Sequence, residues 1–141
     1  MRVSSKADYG VRALFDLSVR FGQGPIQSRD IALRQGISEA YLHQVLSALG
    51  RSGFVRSTRG PLGGHELIRE PSEITLWEVI AALDGLDQRS HPHWSGLKED
   101  DPVHGVWHEL QDRSIDFLKN LTLETLVERE AAKNPAANYS I

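Results

Sequence analysis

The 141 residues contain no cysteine. Disulfides, thiolate zinc sites, a cysteine nucleophile and any all-thiolate iron–sulfur cluster are therefore excluded by chemistry. Long apolar runs are missing too. No stretch approaches the roughly 18 uninterrupted apolar residues of a membrane span, and the opening MRVSSKADYG has no apolar signal-peptide core. A cytoplasmic protein is expected. No Ser-His-Asp spacing, phosphate loop or paired-carboxylate site stands out, which argues against an enzyme. The length suits one ordinary domain, or a small domain with an oligomerisation element, and rules out a large barrel or doubly wound fold. Apolar residues make up 40% of the chain, below the usual range of about 45–50%. Part of the apolar surface is thus expected to need a partner subunit.

Charge is divided along the chain. Residues 1–70 carry ten basic and six acidic side chains, whereas 71–141 carry six and thirteen, for net charges of +4 and −7. A front half that tolerates phosphate fits nucleic-acid binding, although proteins that never meet nucleic acid show similar asymmetry.

The first periodic segment runs from Ser4 to Phe21. Ala7, Val11, Leu14, Phe15 and Ser18 follow helical spacing, widened by Ala13, Leu17 and Phe21, so a mostly buried helix is expected. Ser28 is expected to cap a short second helix through Arg34, closed by a left-handed Gly36. A third helix follows over Glu39–Ser52, with Leu42, Val45, Leu46 and Leu49 on one side. Its other face carries Ala40, His43, Gln44, Ser47 and Arg51, small and polar, with no carboxylate to repel phosphate. Two short helices around a glycine turn, the second showing such a face, suit a helix-turn-helix DNA reader. A helical hairpin with a solvated face has the same pattern.

Phe54–Thr58 and His65–Arg69 read as two strands around the turn Arg59-Gly60-Pro61-Leu62-Gly63-Gly64. Directly after a helix-turn-helix, this hairpin becomes the wing of a winged helix. Gly60, Gly63 and Gly64 permit positive φ and close backbone approach, and Arg59 suits a minor groove; standing alone, the segment is an ordinary turn. Thr75-Leu76-Trp77-Glu78 forms a capping-box signal for a helix through Leu83, closed by Gly85, with Leu76, Ile80 and Leu83 completing the core. Residues 84–101 lose periodicity and read as a linker.

From Val103 to Leu121 a helical stripe returns: Val103, Val106, Trp107, Leu110, Phe117, Leu118 and Leu121. Outside a core already closed by Leu83, it is expected to pair with its own copy in a homodimer. Packing against the first helix is the alternative. Thr122 caps a last helix over Leu123–Ala132, ended by Asn134-Pro135. His104 and His108 stand four residues apart on one helix face, with His91 and His93 upstream. They open a second reading as a histidine-based metal-sensing regulator, against solvated histidines.

Order and spacing resemble the IscR/CymR-like winged-helix regulators, the Rrf-two family, over nearly the whole chain. The resemblance rests on Lys6 to Leu14 (KADYGVRAL), Ile37-Ser38 followed by Tyr41-Leu42 and Gln44, Arg59-Gly60-Pro61 with Gly63-Gly64, Glu73-Ile74-Thr75, and Trp107 with Leu121-Thr122-Leu123. It implies a dimeric transcription factor, mainly α with a two-stranded wing. Residues 1–85 would be the winged helix-turn-helix, 86–102 the loop at the cluster-binding position, 103–133 the dimerisation and C-terminal helices, and 134–141 a flexible tail.

The resemblance also implies a cluster held by three cysteines, and these have no counterparts. The last aligns with Asp101 and the others fall in 91–100, leaving His104 at a position that is a ligand in one branch. A cluster-free repressor is expected, similar to the branch that represses cysteine and sulfur metabolism genes and is itself controlled by complex formation with cysteine synthase (O-acetylserine sulfhydrylase). Regulators of that branch resemble this chain in an aromatic tail with a terminal isoleucine. Tyr139-Ser140-Ile141 would enter the synthase pocket, as the terminal isoleucine of serine acetyltransferase does; a frayed end is the alternative. On matched positions the partner is double-stranded DNA. Gln44 would pair with adenine, Ala40 (a serine in better-known members) would touch a thymine methyl, and His43 (a glutamate there) would donate to guanine. Ser38, Tyr41 and Arg51 would contact phosphate, and Arg59 would enter the minor groove. A winged helix used only for protein contacts is the remaining alternative.

Overall fold

A serine hydroxyl holds the start of the chain's central helix: Ser4 Oγ accepts the Ala7 N–H at 3.0 Å, and helix α1 runs Ser5–Val19. In the computed structural model, which describes residues 2–85 and 101–133, the remaining elements are α2 (Ser28–Gln35), α3 (Glu39–Arg51), strands β1 (Val55–Thr58) and β2 (Gly64–Leu67), a 3-10 turn Pro71–Glu73, α4 (Leu76–Asp84), α5 (Pro102–Lys119) and α6 (Leu123–Lys133). The expected helices and strands are all present, and α1 touches α2, α3, α4, α6 and β2.

Small and branched residues let α1 occupy that centre. Ala13, Leu14 and Leu17 are buried against Ile31, Leu42, Val45, Leu49 and Val79, and Ala7 is fully buried near the helix start. Burial of each large aliphatic side chain stabilises by about 1.5–3 kcal/mol. Gly10 lets α4 approach: a Cβ there would lie 2.1 Å from Leu83 Cδ1. Phe21, expected in the buried stripe, lies beyond the helix end and is exposed.

Asp16 interrupts this apolar face. It is 1% exposed, among leucines, and its two oxygens accept from Arg34 Nη2 and Nε, both at 2.9 Å, and from Gln35 Nε2 at 3.2 Å. Arg20 Nη1 lies 3.5 Å from the carboxylate and donates to the Asp16 carbonyl at 3.2 Å. Bidentate pairing with added donors offsets the desolvation of a buried carboxylate. The bond to Asp16 raises the Arg34 pKa above its ordinary value. The end of α2 is thereby tied to the middle of α1.

The α2–α3 turn follows from local chemistry. Gly36 adopts the left-handed conformation, Ile37 turns inward, and Ser38 Oγ caps α3 by accepting the Tyr41 N–H at 3.2 Å. Ser28 is not a cap. It is the first residue of α2, after Gln27, and its hydroxyl faces Glu39 Oε1 at 3.5 Å. The capping box at α4 is complete: Thr75 Oγ1 accepts the Glu78 N–H at 3.1 Å, and Glu78 Oε2 accepts the Thr75 N–H at 2.9 Å.

Leu76, Ile80 and Leu83 are buried as expected, but they do not close the core. Residues 121–123 pair with 74–76 through Leu76 N to Leu121 O, 2.9 Å, and Leu123 N to Ile74 O, 3.0 Å. Leu123, 0% exposed, seals the centre from the far end of the sequence. Its neighbour Thr122 accepts the Thr125 N–H, starting α6 against α1.

We expect Asp16→Ala to lower the unfolding free energy by about 2–3 kcal/mol. That is less than the about 3–5 kcal/mol for breaking a fully buried pair, because Arg34 keeps part of its side chain in water. Urea denaturation checks this; an unchanged midpoint would contradict a stabilising role for the network.

Candidate nucleic-acid interface

With Leu42, Val45, Leu46 and Leu49 facing the core, the helical period leaves Ala40, His43, Gln44, Ser47 and Arg51 in solvent on one side of α3. The Gln44 amide makes no hydrogen bond among the described residues. Arg51 Nη1 donates to Ser47 Oγ at 2.9 Å, which orients the guanidinium along the helix. The face is not free of carboxylate, as the sequence pattern implied: Glu39 Oε1 stands 3.7 Å from His43 Nε2. Glu39 is in the first turn, where the helix dipole favours an acid. Ser38 spends its oxygen on the α3 cap and keeps its hydroxyl proton to donate. Tyr41 is half-buried, packed edge-on against Tyr9 with centroids 5.2 Å apart.

The wing is antiparallel, with Val55 opposite Leu67 and Thr58 opposite Gly64. Arg56 and Glu66 pair across it at 3.1 Å. A third segment was not visible in the sequence pattern: Ile26 exchanges both backbone hydrogen bonds with His65, at 2.8 and 2.7 Å, so β2 lies between β1 and the residues before α2. Gly63 and Gly64 are needed within the chain. A Cβ on Gly63 would meet the Thr58 carbonyl oxygen at 2.0 Å, and one on Gly64, at φ +154°, would meet the Ile26 oxygen at 2.5 Å. Gly60 lies at the exposed tip with Arg59, which has no ion-pair partner among the described residues. Leu62 at the tip is 92% exposed, an apolar residue that sequence reasoning passed over. An isolated leucine in a glycine-rich turn was its only signal.

Helix α5 is amphipathic in an inverted sense. Its intrachain side buries His104, Gln111 and Ile115, while Val103, Val106, Trp107, Leu110 and Phe117 are exposed. Leu118 and Leu121 differ from the rest of the expected dimer stripe: both are half-buried against the chain's own core. His104 and His108 face each other, Nε2 to Nε2 at 2.6 Å. Two donors fall short of the three or four protein ligands of a metal centre, and no group of three or more His, Asp or Glu suited to a metal occurs among the described residues. His91, His93 and the tail residues Tyr139 and Ile141 lie outside the described residues. No described helix is long and apolar enough to cross a membrane.

Residues 3–129 match the Rrf2 family, described as an iron-dependent transcriptional regulator. The HTH-type transcriptional regulator IscR of Pectobacterium carotovorum is 40% identical over 133 residues, covering 92% of this chain and 81% of its own. IscR of Escherichia coli O1:K1 is likewise 40% identical, over 92% and 82%. Among solved structures, CymR, the global cysteine regulator of B. subtilis, aligns with a TM-score of 0.82 at 32% identity, over 92% of this chain and 98% of that one. T. potens IscR gives 0.76 at 37% identity, over 92% and 88%. These relatives are regulators, not enzymes. A thiolate-held iron cluster does not fit the donors present: there is no cysteine, and Asp101 Oδ1 caps α5 by accepting the Val103 N–H at 3.0 Å.

His65 couples the wing to pH. Its Nδ1 is 2.8 Å from Ser57 Oγ, and burial first, then the neighbouring His43, hold its pKa below the ordinary 6.5. The unfolded chain takes up this proton at higher pH than the folded one. Stability therefore falls as pH drops below about 6.5, then levels off beneath the folded pKa. His65→Gln should flatten that part of the slope in urea titrations between about pH 7.5 and 5; parallel slopes would remove His65 from the account.

Proposed function

The chain belongs to the Rrf2 family of transcriptional regulators, and from that footing we propose that it works as a homodimer on a palindromic operator. Ala40, His43 and Gln44 of α3 read the major groove, and Arg59 enters the flanking minor groove. The observation that carries this reading is the uncommitted Gln44 amide on an exposed helix face, beside a wing whose tip carries an unpaired Arg59. An amide fork can accept from and donate to one adenine edge, and an unpaired guanidinium suits the concentrated negative potential of a narrow groove. Tyr41, Arg51 and the Ser38 hydroxyl serve phosphates, which position the helix without selecting sequence.

The second copy covers α5. Five exposed apolar residues on one stripe, among them Trp107 and Phe117, are unfavourable in water, and a twofold axis through that helix supplies the same stripe from the partner. Leu118 and Leu121 then support the stripe from beneath.

The finer assignment is a cluster-free repressor of cysteine and sulfur metabolism genes. Its support is the absence of cysteine and the likeness to CymR. The proposed regulator of such a repressor is cysteine synthase, bound through the tail Tyr139–Ile141.

Selection of duplexes from a random pool identifies the operator, and anisotropy then measures affinity. Gln44→Ala should weaken the selected duplex by about 1–3 kcal/mol while leaving scrambled DNA unchanged. Equal losses on both would remove Gln44 from base reading. Leu110→Asp should give a monomer by light scattering, with operator affinity down by more than about tenfold. A dimer that persists in this variant would place the interface elsewhere.

A further inference from the structure

Between α1 and α6, at the point where α2 ends, the surface opens into a cleft of about 480 Å³, within the size range of small-molecule sites. Half-buried Val11, Phe15 and Leu126 form its apolar floor. Its rim is charged. Arg12 is committed to Asp8 at 3.0 Å, whereas Arg129 and Lys133 of α6 have no ion-pair partner among the described residues and face only Glu130 as an unpaired acid. An apolar floor with one net uncommitted positive charge suits a monoanion with an apolar body, with the anionic head at Arg129 and Lys133.

The remaining wall residue gives this cleft a route to the DNA-reading elements. Gln35 lines the cleft, and its Nε2 donates one hydrogen to Asp16 Oδ2, the carboxylate that ties α2 to α1. An amide nitrogen carries two hydrogens, so the second can serve an anion in the cleft while the first stays on Asp16. A ligand held this way favours the arrangement in which Gln35 is seated on Asp16 and α2 is fixed against α1. That differential contact is what lets occupancy bias a conformational equilibrium.

We propose that the cleft between α1, α6 and Gln35 binds a small carboxylate with an apolar body, and that its occupancy is transmitted through Gln35 and Asp16 to the helix-turn-helix. The transmission half rests on the DNA-reading function proposed above, while the binding half does not.

The test uses the full chain and indole-3-acetate as probe, with neutral indole-3-acetamide as control, followed by NMR. Saturable shifts centred on α1, α6 and Gln35 are expected in the millimolar range or below. The amide and the Arg129→Ala/Lys133→Ala variant should each bind about fivefold or more weakly, in line with two exposed charge contacts. Both substitutions are on the surface, and an unchanged thermal midpoint verifies the variant's fold. Equal binding of acid and amide, binding untouched by the double variant, or shifts that never saturate would overturn the site. So would a double variant that alters only the dimer equilibrium, which would make the cleft a subunit contact.

For transmission, saturating indole-3-acetate should slow amide exchange across residues 28–51. It should also change affinity for the selected duplex by about threefold or more, an effect lost in Gln35→Leu at saturating ligand. Binding without either change would overturn the transmission half. Failure to select any duplex would count against the DNA reading and leave the binding result standing.

Discussion

The relative geometry of α1, α2 and α3 depends on one buried carboxylate. Asp16 sits where the core wants an apolar side chain, and it is kept there by three hydrogen bonds from Arg34 and Gln35 and by the nearby Arg20 cation. Apolar packing alone holds helices together but lets them slide, because one buried methyl group is much like another. A bidentate guanidinium does not slide, since its two bonds set both distance and angle. The short α2, with only Ile31 and Ala32 buried, has little else to hold it in place. Since only a three-residue turn separates α2 from α3, the orientation of α3 is inherited from the Asp16–Arg34 pair.

A second constraint closes the molecule from the other end. The pairing of 121–123 with 74–76 draws the chain after α5 back into the core, so the two ends of the fold are sealed by one residue, Leu123. This connects α5 to the winged unit at its C-terminal end, where Leu118 and Leu121 touch the core, and leaves the apolar residues nearer its start in solvent. A load on α5, such as the proposed second subunit would exert, therefore reaches the same core that supports α1.

Much of this was legible in the sequence where local chemistry decides. The two faces of α3 follow from residue period, the α2–α3 turn from Gly36, and the start of α4 from Thr75 and Glu78, all short-range signals. What was not legible depends on partners distant in sequence. Nothing in the sequence marked Asp16 as buried, because its partner Arg34 is 18 residues away. Ile26 showed no strand pattern, since a single pairing with His65 needs no alternation. The stripe on α5 was readable, but not that its intrachain side would be the polar one with His104 and Gln111, because periodicity reveals that two faces differ and not which one the chain buries. Ser28 shows the smallest such error, a shift of one residue at a helix start where Gln27 holds the cap position.

The position of β2 between β1 and Ile26 has a mechanical consequence. A two-stranded ribbon on a glycine turn is free to flap, and its tip can follow whatever groove it meets. Here the inner strand is stitched to the segment leading into α2, with glycine backbones at 63 and 64 pressed against their neighbours. The wing and the α2–α3 unit are thus held together as a single caliper. In the proposed complex, the number of base pairs between what the helix touches and what the tip touches would then be a dimension of the protein, and a duplex would have to match it or bend to do so.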